Sequence, residues 1–201
     1  MATKRPASPL KTKRDVLNIQ DYLRYKSKRN YTLFVLGITT GYRAGDLVNL
    51  QVRDIKEALK YKEFVIQEGK KFNNKRVKDK NRKARRVELI PSVARILKEY
   101  IKDMKDYEYV FKSRKGLNKP IGVQAVSNAL KEAGEYFGIY NITAHSMRKT
   151  YAYKIWIESG KDVLVVKELL GHSSTEETKL YLGLDKEEYH NYTMKLGDFV
   201  R

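Results

Sequence analysis

The sequence predicts a mainly helical α+β fold with one small antiparallel β-hairpin. Three observations lead to this prediction. Apolar residues recur at helical spacing through most of the chain, glycines separate these segments, and only two short segments have the composition of strands. Because we find no internal repeat and no linker rich in glycine and serine, residues 15–201 are predicted to form one domain. Residues 1–14 are basic and lack periodicity, so they are predicted to form an N-terminal arm.

The domain is predicted to begin with two helices, the second of which ends at Gly41. A short helix extending to Leu50 is predicted next, with Gly45 and Asp46 at its N-cap. Arg43 therefore lies in a turn between two helices, where its position is fixed.

Two segments, 63–67 and 85–90, have the composition of β-strands. Their connection is long and very basic, so the pair is predicted to form a hairpin with a cationic tip. The basic residues of this tip are Lys70, Lys71, Lys75, Arg76, Lys78, Lys80, Arg82 and Lys83.

The second half of the chain is predicted to be mostly helical. Ser92 is the predicted cap of a helix that ends near Met104, and a short extended segment and a turn follow. The remaining predicted helices, separated by glycines, cover residues 123–137, 145–159, 161–170, 174–182 and 186–196.

The charge balance predicts a polyanionic partner. The chain has 42 Lys and Arg against 24 Asp and Glu, a formal net charge of +18, which is far more than solubility requires. It has no cysteine and three histidines, which excludes disulfides, thiolate catalysis and zinc sites built on sulfur. No apolar run is long enough to span a bilayer or to form a signal peptide. We therefore expect a cytoplasmic, nucleoid-associated protein with no membrane partner.

Residues with catalytic potential are spread along the chain. Arg43 lies in the predicted turn, His145 and Arg148 share one face of a predicted helix, and His172 precedes Tyr181 by nine residues. Each has an ordinary structural alternative, such as helix capping, a solvated basic surface or packing in the core.

The order of these residues, with lysines on a hairpin between them, resembles the catalytic domain of the tyrosine recombinase (phage integrase) family. The resemblance covers nearly all of residues 15–190 and implies the fold of the DNA breaking-rejoining enzymes. The segments that carry it are TGYRAGDLVNLQVRDI at 40–55, KDKNRKARRVELI at 78–90, TAHSMRKT at 143–150 and LLGHSSTEETKLYLG at 169–183.

This resemblance implies DNA strand transfer through a covalent 3′-phosphotyrosyl intermediate, with no metal and no other cofactor. Attack on a phosphodiester places negative charge on the nonbridging oxygens, and two guanidiniums can meet that charge with bidentate hydrogen bonds. The resemblance assigns these guanidiniums to Arg43 and Arg148. It assigns His145 as the acid/base group, His172 as a second hydrogen-bond donor to the phosphate, and Tyr181 as the nucleophile.

The resemblance also places a catalytic lysine on the hairpin, where it would protonate the leaving 5′ oxygen. Counted back from the second strand, this residue is Lys80, which is our preferred assignment. Counted forward from the first strand it is Lys70, because the connection is longer than the usual turn of the family. Asp46 is expected to orient Arg43.

The partners implied by the resemblance are double-stranded DNA, a homo-oligomer from dimer to tetramer, and accessory DNA-bending proteins. The N-terminal clamp domain of many family members is expected to be absent, which suits either a minimal recombinase of a mobile genetic element or the catalytic part of a longer protein. Residues 184–201 resemble the tail that family members pack onto a neighbouring protomer. The alternative for them is a closing helix on the chain's own core.

Two other functions stay open at this point. A type IB topoisomerase would relax supercoiled DNA by the same chemistry, and a DNA-binding regulator would keep the fold without activity. A metal-dependent nuclease is disfavoured because the sequence has no acidic cluster or histidine pair at ligand spacing. The sequence specifies neither the target site nor the outcome of the reaction, which could be integration, excision, resolution or inversion.

Overall fold

The computed structural model describes residues 7–66, 84–184 and 193–194. Helices dominate this part of the chain and its one sheet has two antiparallel strands, which confirms the predicted fold class. The helices are α1 (Lys13–Lys26), α2 (Lys28–Thr40), α3 (Ala44–Val48), α4 (Val52–Tyr61), α5 (Pro91–Tyr100), α6 (Val123–Tyr136), α7 (Ala144–Glu158), α8 (Val163–Leu170) and α9 (Thr175–Leu182), and the strands are β1 (Glu63–Ile66) and β2 (Arg85–Glu88). The cationic hairpin tip, most of the predicted helix 186–196 and the start of the arm lie outside the described residues.

The chain divides into two compact units, Met1–Tyr151 and Ala152–Arg201. The first unit contains the hairpin and a large hydrophobic core, in which most of α2 is buried. The boundary between the units falls within α7. The domain limits drawn from the sequence stay a prediction.

The segment before α1 is attached to the first unit. Leu10 is buried, and its backbone N–H donates to the Thr150 hydroxyl at 2.9 Å. Helix α1 begins at Lys13, because the Thr12 side chain accepts a hydrogen bond from the backbone of Asp15 and so caps the first turn. Part of the predicted arm therefore contributes to the core.

Helix α3 begins one residue earlier than its predicted cap. Its N-cap is Arg43, so Gly45 and Asp46 lie inside the helix rather than at the cap. The prediction was wrong because it looked for a capping side chain. Here the extended backbone of Arg43 starts the helix without one, and its carbonyl accepts hydrogen bonds from Asp46 and Leu47.

Two further helices differ from the sequence analysis. Helix α4 was not predicted, although Gln51 and Asp54 cap it reciprocally. Helix α5 begins at Pro91 with Ile90 as its N-cap, not at Ser92, because the fixed φ of proline suits the first helical position.

A glycine is required at the C-terminal end of α2. Gly41 has a φ of +62°, and a Cβ on this residue would lie 2.7 Å from Cγ of Tyr151. Gly41→Ala is therefore expected to lower the free energy of unfolding by about 2–5 kcal/mol, through left-handed strain and overpacking. Urea denaturation would measure this loss.

Gly45→Ala is the matched control for this prediction. A Cβ at Gly45 meets no atom within 4 Å and the residue lies in α3, so the free energy of unfolding should stay within about 1 kcal/mol of wild type. Equal stability of the Gly41→Ala and Gly45→Ala variants would contradict the prediction.

Candidate active site

The guanidinium of Arg148 is buried against the C-terminal end of α2. Arg148 is only 2% exposed, and its Nη1 donates to the Gly41 carbonyl at 2.8 Å. The last carbonyls of a helix lack intrahelical donors and carry partial negative charge. A buried cation at this end of α2 therefore satisfies a carbonyl that would otherwise be costly to bury.

A close approach of two helices brings Arg148 to this position. A Cβ on Gly37 of α2 would lie 2.7 Å from Sδ of Met147, the residue before Arg148 in α7. Met147 itself is fully buried. The absence of a side chain at Gly37 thus allows the start of α7 to approach α2 closely at Met147.

Arg43 lies two residues beyond Gly41, at the start of α3. Its backbone is fixed, because its carbonyl accepts hydrogen bonds from Asp46 at 2.9 Å and from Leu47 at 3.1 Å. Its side chain is partly exposed. Both arginines assigned to the phosphate are therefore attached to the turn at Gly41. Arg43 is part of its main chain, and Arg148 is held there by a hydrogen bond.

His145 is on the first turn of α7, three residues before Arg148. Thr143 and Ser146 stabilise this turn: the Ser146 hydroxyl accepts from the Thr143 N–H at 3.0 Å, and the Thr143 hydroxyl accepts from the His145 N–H at 3.2 Å. His145 is exposed whereas Arg148 is buried. The helix thus offers an imidazole to solvent while it fixes an arginine in the core.

A third arginine, Arg85, contacts the same turn. Its Nη1 donates to the Gly41 carbonyl at 3.1 Å and its Nη2 donates to the Thr40 carbonyl. Its guanidinium lies 4.5 Å from the centre of the Tyr42 ring and 5.6 Å from that of Tyr151.

The sequence analysis did not predict a site role for Arg85. Burial, and next to it the charge of Arg148, lower the pKa of Arg85 from its usual value. A signal was present in the strand pattern: residues of β2 alternate between faces, and Arg85 shares the inner face with Val87. This alternation could have shown that Arg85 points towards the core.

Tyr42 supports the hairpin from the same turn. Its ring is fully buried, and its hydroxyl donates to the carbonyls of Arg85 at 2.5 Å and Phe64 at 3.3 Å. Burial raises the pKa of Tyr42 to about 12, although the Arg85 cation acts in the opposite direction.

This raised pKa predicts a pH dependence of stability. The unfolded chain loses the Tyr42 proton near pH 10, before the folded chain does, so the stabilisation is complete below about pH 10 and is lost as the pH rises towards 12. Between pH 9 and pH 11 wild type should lose about 1 kcal/mol more than Tyr42→Phe in urea denaturation. Tyr25→Phe changes an exposed tyrosine and should keep the wild-type pH dependence. Parallel curves for wild type and Tyr42→Phe would contradict the prediction.

The second unit brings His172 and Tyr181 together. Their rings are 5.1 Å apart in an edge-to-face arrangement. Nδ1 of His172 lies 3.0 Å from the hydroxyl of Thr178, which is fully buried. Helix α9, which carries Thr178 and Tyr181, is capped by the Ser174 side chain. Because Thr178 holds Nδ1, a phosphate hydrogen bond from His172 would be made by Nε2.

The predicted site residues are thus distributed over the two units. Arg43, His145 and Arg148 belong to the first, and His172 and Tyr181 to the second. Neither Lys80 nor its alternative, Lys70, is among the described residues. Within the described ranges, no group of three acidic or histidine side chains could hold a metal ion. No helix in these ranges has the length and apolar character needed to cross a membrane.

The protein family of the chain follows from its match to a known family profile. The sequence profile of the Phage integrase family matches residues 11–188. The chain belongs to this family. The predicted relationship to the tyrosine recombinases is therefore confirmed.

Named relatives of this phage integrase family member include both integrases and recombinases. The chain is 31% identical over 179 residues to the probable integrase/recombinase YoeC of Bacillus subtilis (strain 168), covering 89% of this chain and 91% of that protein. It is 28% identical over 191 residues to tyrosine recombinase XerD of Staphylococcus aureus, covering 87% of this chain and 59% of XerD. It is 29% identical over 169 residues to tyrosine recombinase XerA of Pyrococcus horikoshii, covering 83% of this chain and 52% of XerA. The chain thus spans only a little more than half of these two Xer recombinases.

Solved structures show the same fold. A crystal structure of XerA recombinase matches with a TM-score of 0.68 at 22% identity, over 95% of this chain and 66% of that one. XerH site-specific recombinase bound to its difH substrate, in a pre-cleavage complex, matches with a TM-score of 0.65 at 19% identity, over 96% of this chain and 55% of that one. The expected tyrosine recombinase catalytic-domain fold is confirmed.

Proposed function

We propose that this chain is a site-specific DNA recombinase or integrase that cuts and rejoins duplex DNA through a covalent 3′-phosphotyrosyl intermediate. The observation that carries the proposal is the hydrogen bond from buried Arg148 to the Gly41 carbonyl, two residues before Arg43. It attaches both proposed phosphate-binding arginines to one fixed turn. The net charge of +18 suits a DNA substrate, and the structural neighbour XerH was crystallised bound to its difH substrate.

Cleavage begins when the phenolic oxygen of Tyr181 attacks the scissile phosphorus. His145 accepts the phenolic proton as the new P–O bond forms. The bond from phosphorus to the 5′ oxygen breaks, and the hairpin lysine, Lys80 or its alternative Lys70, donates a proton to that oxygen. In rejoining, a 5′ hydroxyl attacks the phosphotyrosine and releases Tyr181. One phosphoester replaces another, so the reaction needs no high-energy cofactor.

The remaining groups act on the nonbridging oxygens. Arg43 and Arg148 present guanidinium forks, and His172 donates through Nε2, so the charge that develops on the phosphate meets fixed donors. Fixed donors are effective because they need no reorganisation during the reaction. Asp46, in the first turn of α3, is proposed to orient Arg43.

Strand exchange also sets the number of subunits. Two duplexes have four strands, and each strand that is cut needs one tyrosine. We therefore propose that a homo-oligomer, a dimer on one site and a tetramer on two, assembles on DNA, with DNA-bending proteins as accessory factors. Action on DNA would associate the protein with the nucleoid, and integration would link it to a mobile genetic element.

Covalent trapping tests this proposal. Wild-type protein is incubated in excess EDTA with labelled, nicked duplexes from the DNA that flanks its own gene, and the products are resolved on a denaturing gel. We expect a protein–DNA adduct. Mass spectrometry should locate the attached nucleotide on the peptide that contains Tyr181. Loss of the adduct in EDTA would contradict metal-free chemistry.

Two further assays separate the alternatives, because a type IB topoisomerase would form the same adduct. A topoisomerase would relax supercoiled plasmid as a monomer, with little demand for sequence. A regulator would bind the duplexes in a filter assay but form no adduct on any of them. Either result would replace recombination as the proposed function.

A further inference from the structure

Arg85 fixes the turn on which both proposed phosphate-binding arginines depend. Its guanidinium donates to two successive carbonyls, those of Thr40 and Gly41, at the end of α2. Arg148 donates to the same Gly41 carbonyl at 2.8 Å, so this oxygen receives both arginines. The main chain that leads into Arg43 is thereby held at two consecutive peptide groups.

The surroundings of Arg85 hold its guanidinium in one orientation. The rings of Tyr42 and Tyr151 lie 4.5 Å and 5.6 Å from it, and the Tyr42 hydroxyl donates to the carbonyl of Arg85 itself at 2.5 Å. Both rings are buried. A guanidinium in contact with two buried aromatic rings has few other orientations, so its planar donors stay aimed at the same two carbonyls.

Placing both Arg85 and Arg148 on the Gly41 carbonyl costs electrostatic energy, and capping the C-terminal end of α2 does not require two cations. Two guanidiniums on one carbonyl repel each other, and a neutral side chain could satisfy the end of a helix without that repulsion. Arg85 adds two things that a neutral side chain lacks. Its planar guanidinium spans two carbonyls, and its positive charge lies close to the turn that contains them. Both properties favour an anion at the two other arginines.

We infer that Arg85 is a positioning residue of the reaction: it holds the Thr40–Gly41 carbonyls so that Arg148 and Arg43 meet the scissile phosphate in a fixed geometry. The inference rests on the proposed recombinase function. It goes beyond that function because Arg85 acts through the turn rather than on the DNA.

The test compares Arg85→Lys with Arg86→Lys. Lysine keeps the charge but cannot span two carbonyls. Arg86 is the next residue of β2, has a side chain that is 68% exposed, and pairs with Glu63 at 2.7 Å, so it controls for the same chemical change on the same strand. For each variant we would measure the single-turnover rate of adduct formation, the DNA dissociation constant and the stability in urea.

We expect Arg85→Lys to form the adduct at least about tenfold more slowly, because a small misplacement of catalytic groups is costly. Its DNA dissociation constant should stay within about twofold of wild type, and Arg86→Lys should match wild type. A methylphosphonate at the scissile position removes one negative oxygen, so on that substrate the difference between wild type and Arg85→Lys should shrink. A purely structural role would leave this difference unchanged, and that result would overturn the inference.

A second readout does not depend on cleavage. The Nε–Hε resonance of Arg148, observed by NMR in the protein without DNA, should shift in Arg85→Lys and stay in place in Arg86→Lys. An unchanged resonance would overturn the inference even if the enzyme cleaves DNA. If wild type forms no adduct but the resonance shifts, the proposed function fails while the role of Arg85 in holding the turn stands.

Discussion

Tyr181→Phe is expected to abolish the covalent protein–DNA adduct while DNA affinity stays within about twofold of wild type. Phenylalanine lacks the oxygen that would bond to phosphorus, and neither His172 nor a lysine can replace it in a stable phosphotyrosyl link. The ring itself is retained, so its edge-to-face contact with His172 at 5.1 Å can persist. The loss should therefore be confined to the chemical step.

Denaturing gels of trapped complexes would measure this loss, and filter binding would measure the affinity. Tyr140→Phe, which changes an exposed tyrosine, serves as the control and should form the adduct at the wild-type rate. An adduct of normal yield with Tyr181→Phe would show that another residue is the nucleophile.

Arg148→Lys is expected to slow adduct formation by about 10²–10³-fold, the usual effect of removing one preorganised donor from a developing oxyanion. The ammonium of lysine is a single point of charge, so it cannot contact Gly41 and clamp a phosphate as a planar fork can. Because Arg148 is 2% exposed, the change should also lower the free energy of unfolding, by about 1–3 kcal/mol, since a buried ammonium would satisfy fewer of its hydrogen bonds than the guanidinium does.

Single-turnover kinetics at saturating DNA would separate this effect from weaker binding. Lys154→Arg is a matched change on the same helix, at an exposed residue that pairs with Glu158, and it should leave the rate and the stability near wild type. A rate for Arg148→Lys close to that of wild type would exclude Arg148 from the phosphate site.

Local sequence patterns predicted the helices that contain the catalytic motifs. The end of α2 at Gly41 followed from a glycine after an apolar helix, and the strands followed from β-branched composition. Helix α4 was not predicted, although Val52, Ile55 and Ala58 have helical spacing and are buried. It has only ten residues, and a segment with strand composition begins directly after it at Glu63.

The tertiary contacts of the site could not be predicted in the same way. That the side chain of Arg148 is buried on the Gly41 carbonyl depends on how α2 and α7 pack, which no local pattern encodes. Arg85 illustrates the same limit. An arginine in a strand is ordinarily a solvated residue, and only the fold shows that its donors reach Thr40 and Gly41.

Because the carbonyl of Gly41 receives two arginines and a Cβ on Gly41 would collide with the ring of Tyr151, we expect these positions to be constrained as a group during evolution. A side chain at Gly41 would need a smaller residue at Tyr151, and a smaller residue there would uncover the guanidinium of Arg85. Substitutions at Gly41, Arg85, Arg148 and Tyr151 should therefore occur together among descendants of this sequence. Exposed positions such as Arg86 are expected to change one at a time.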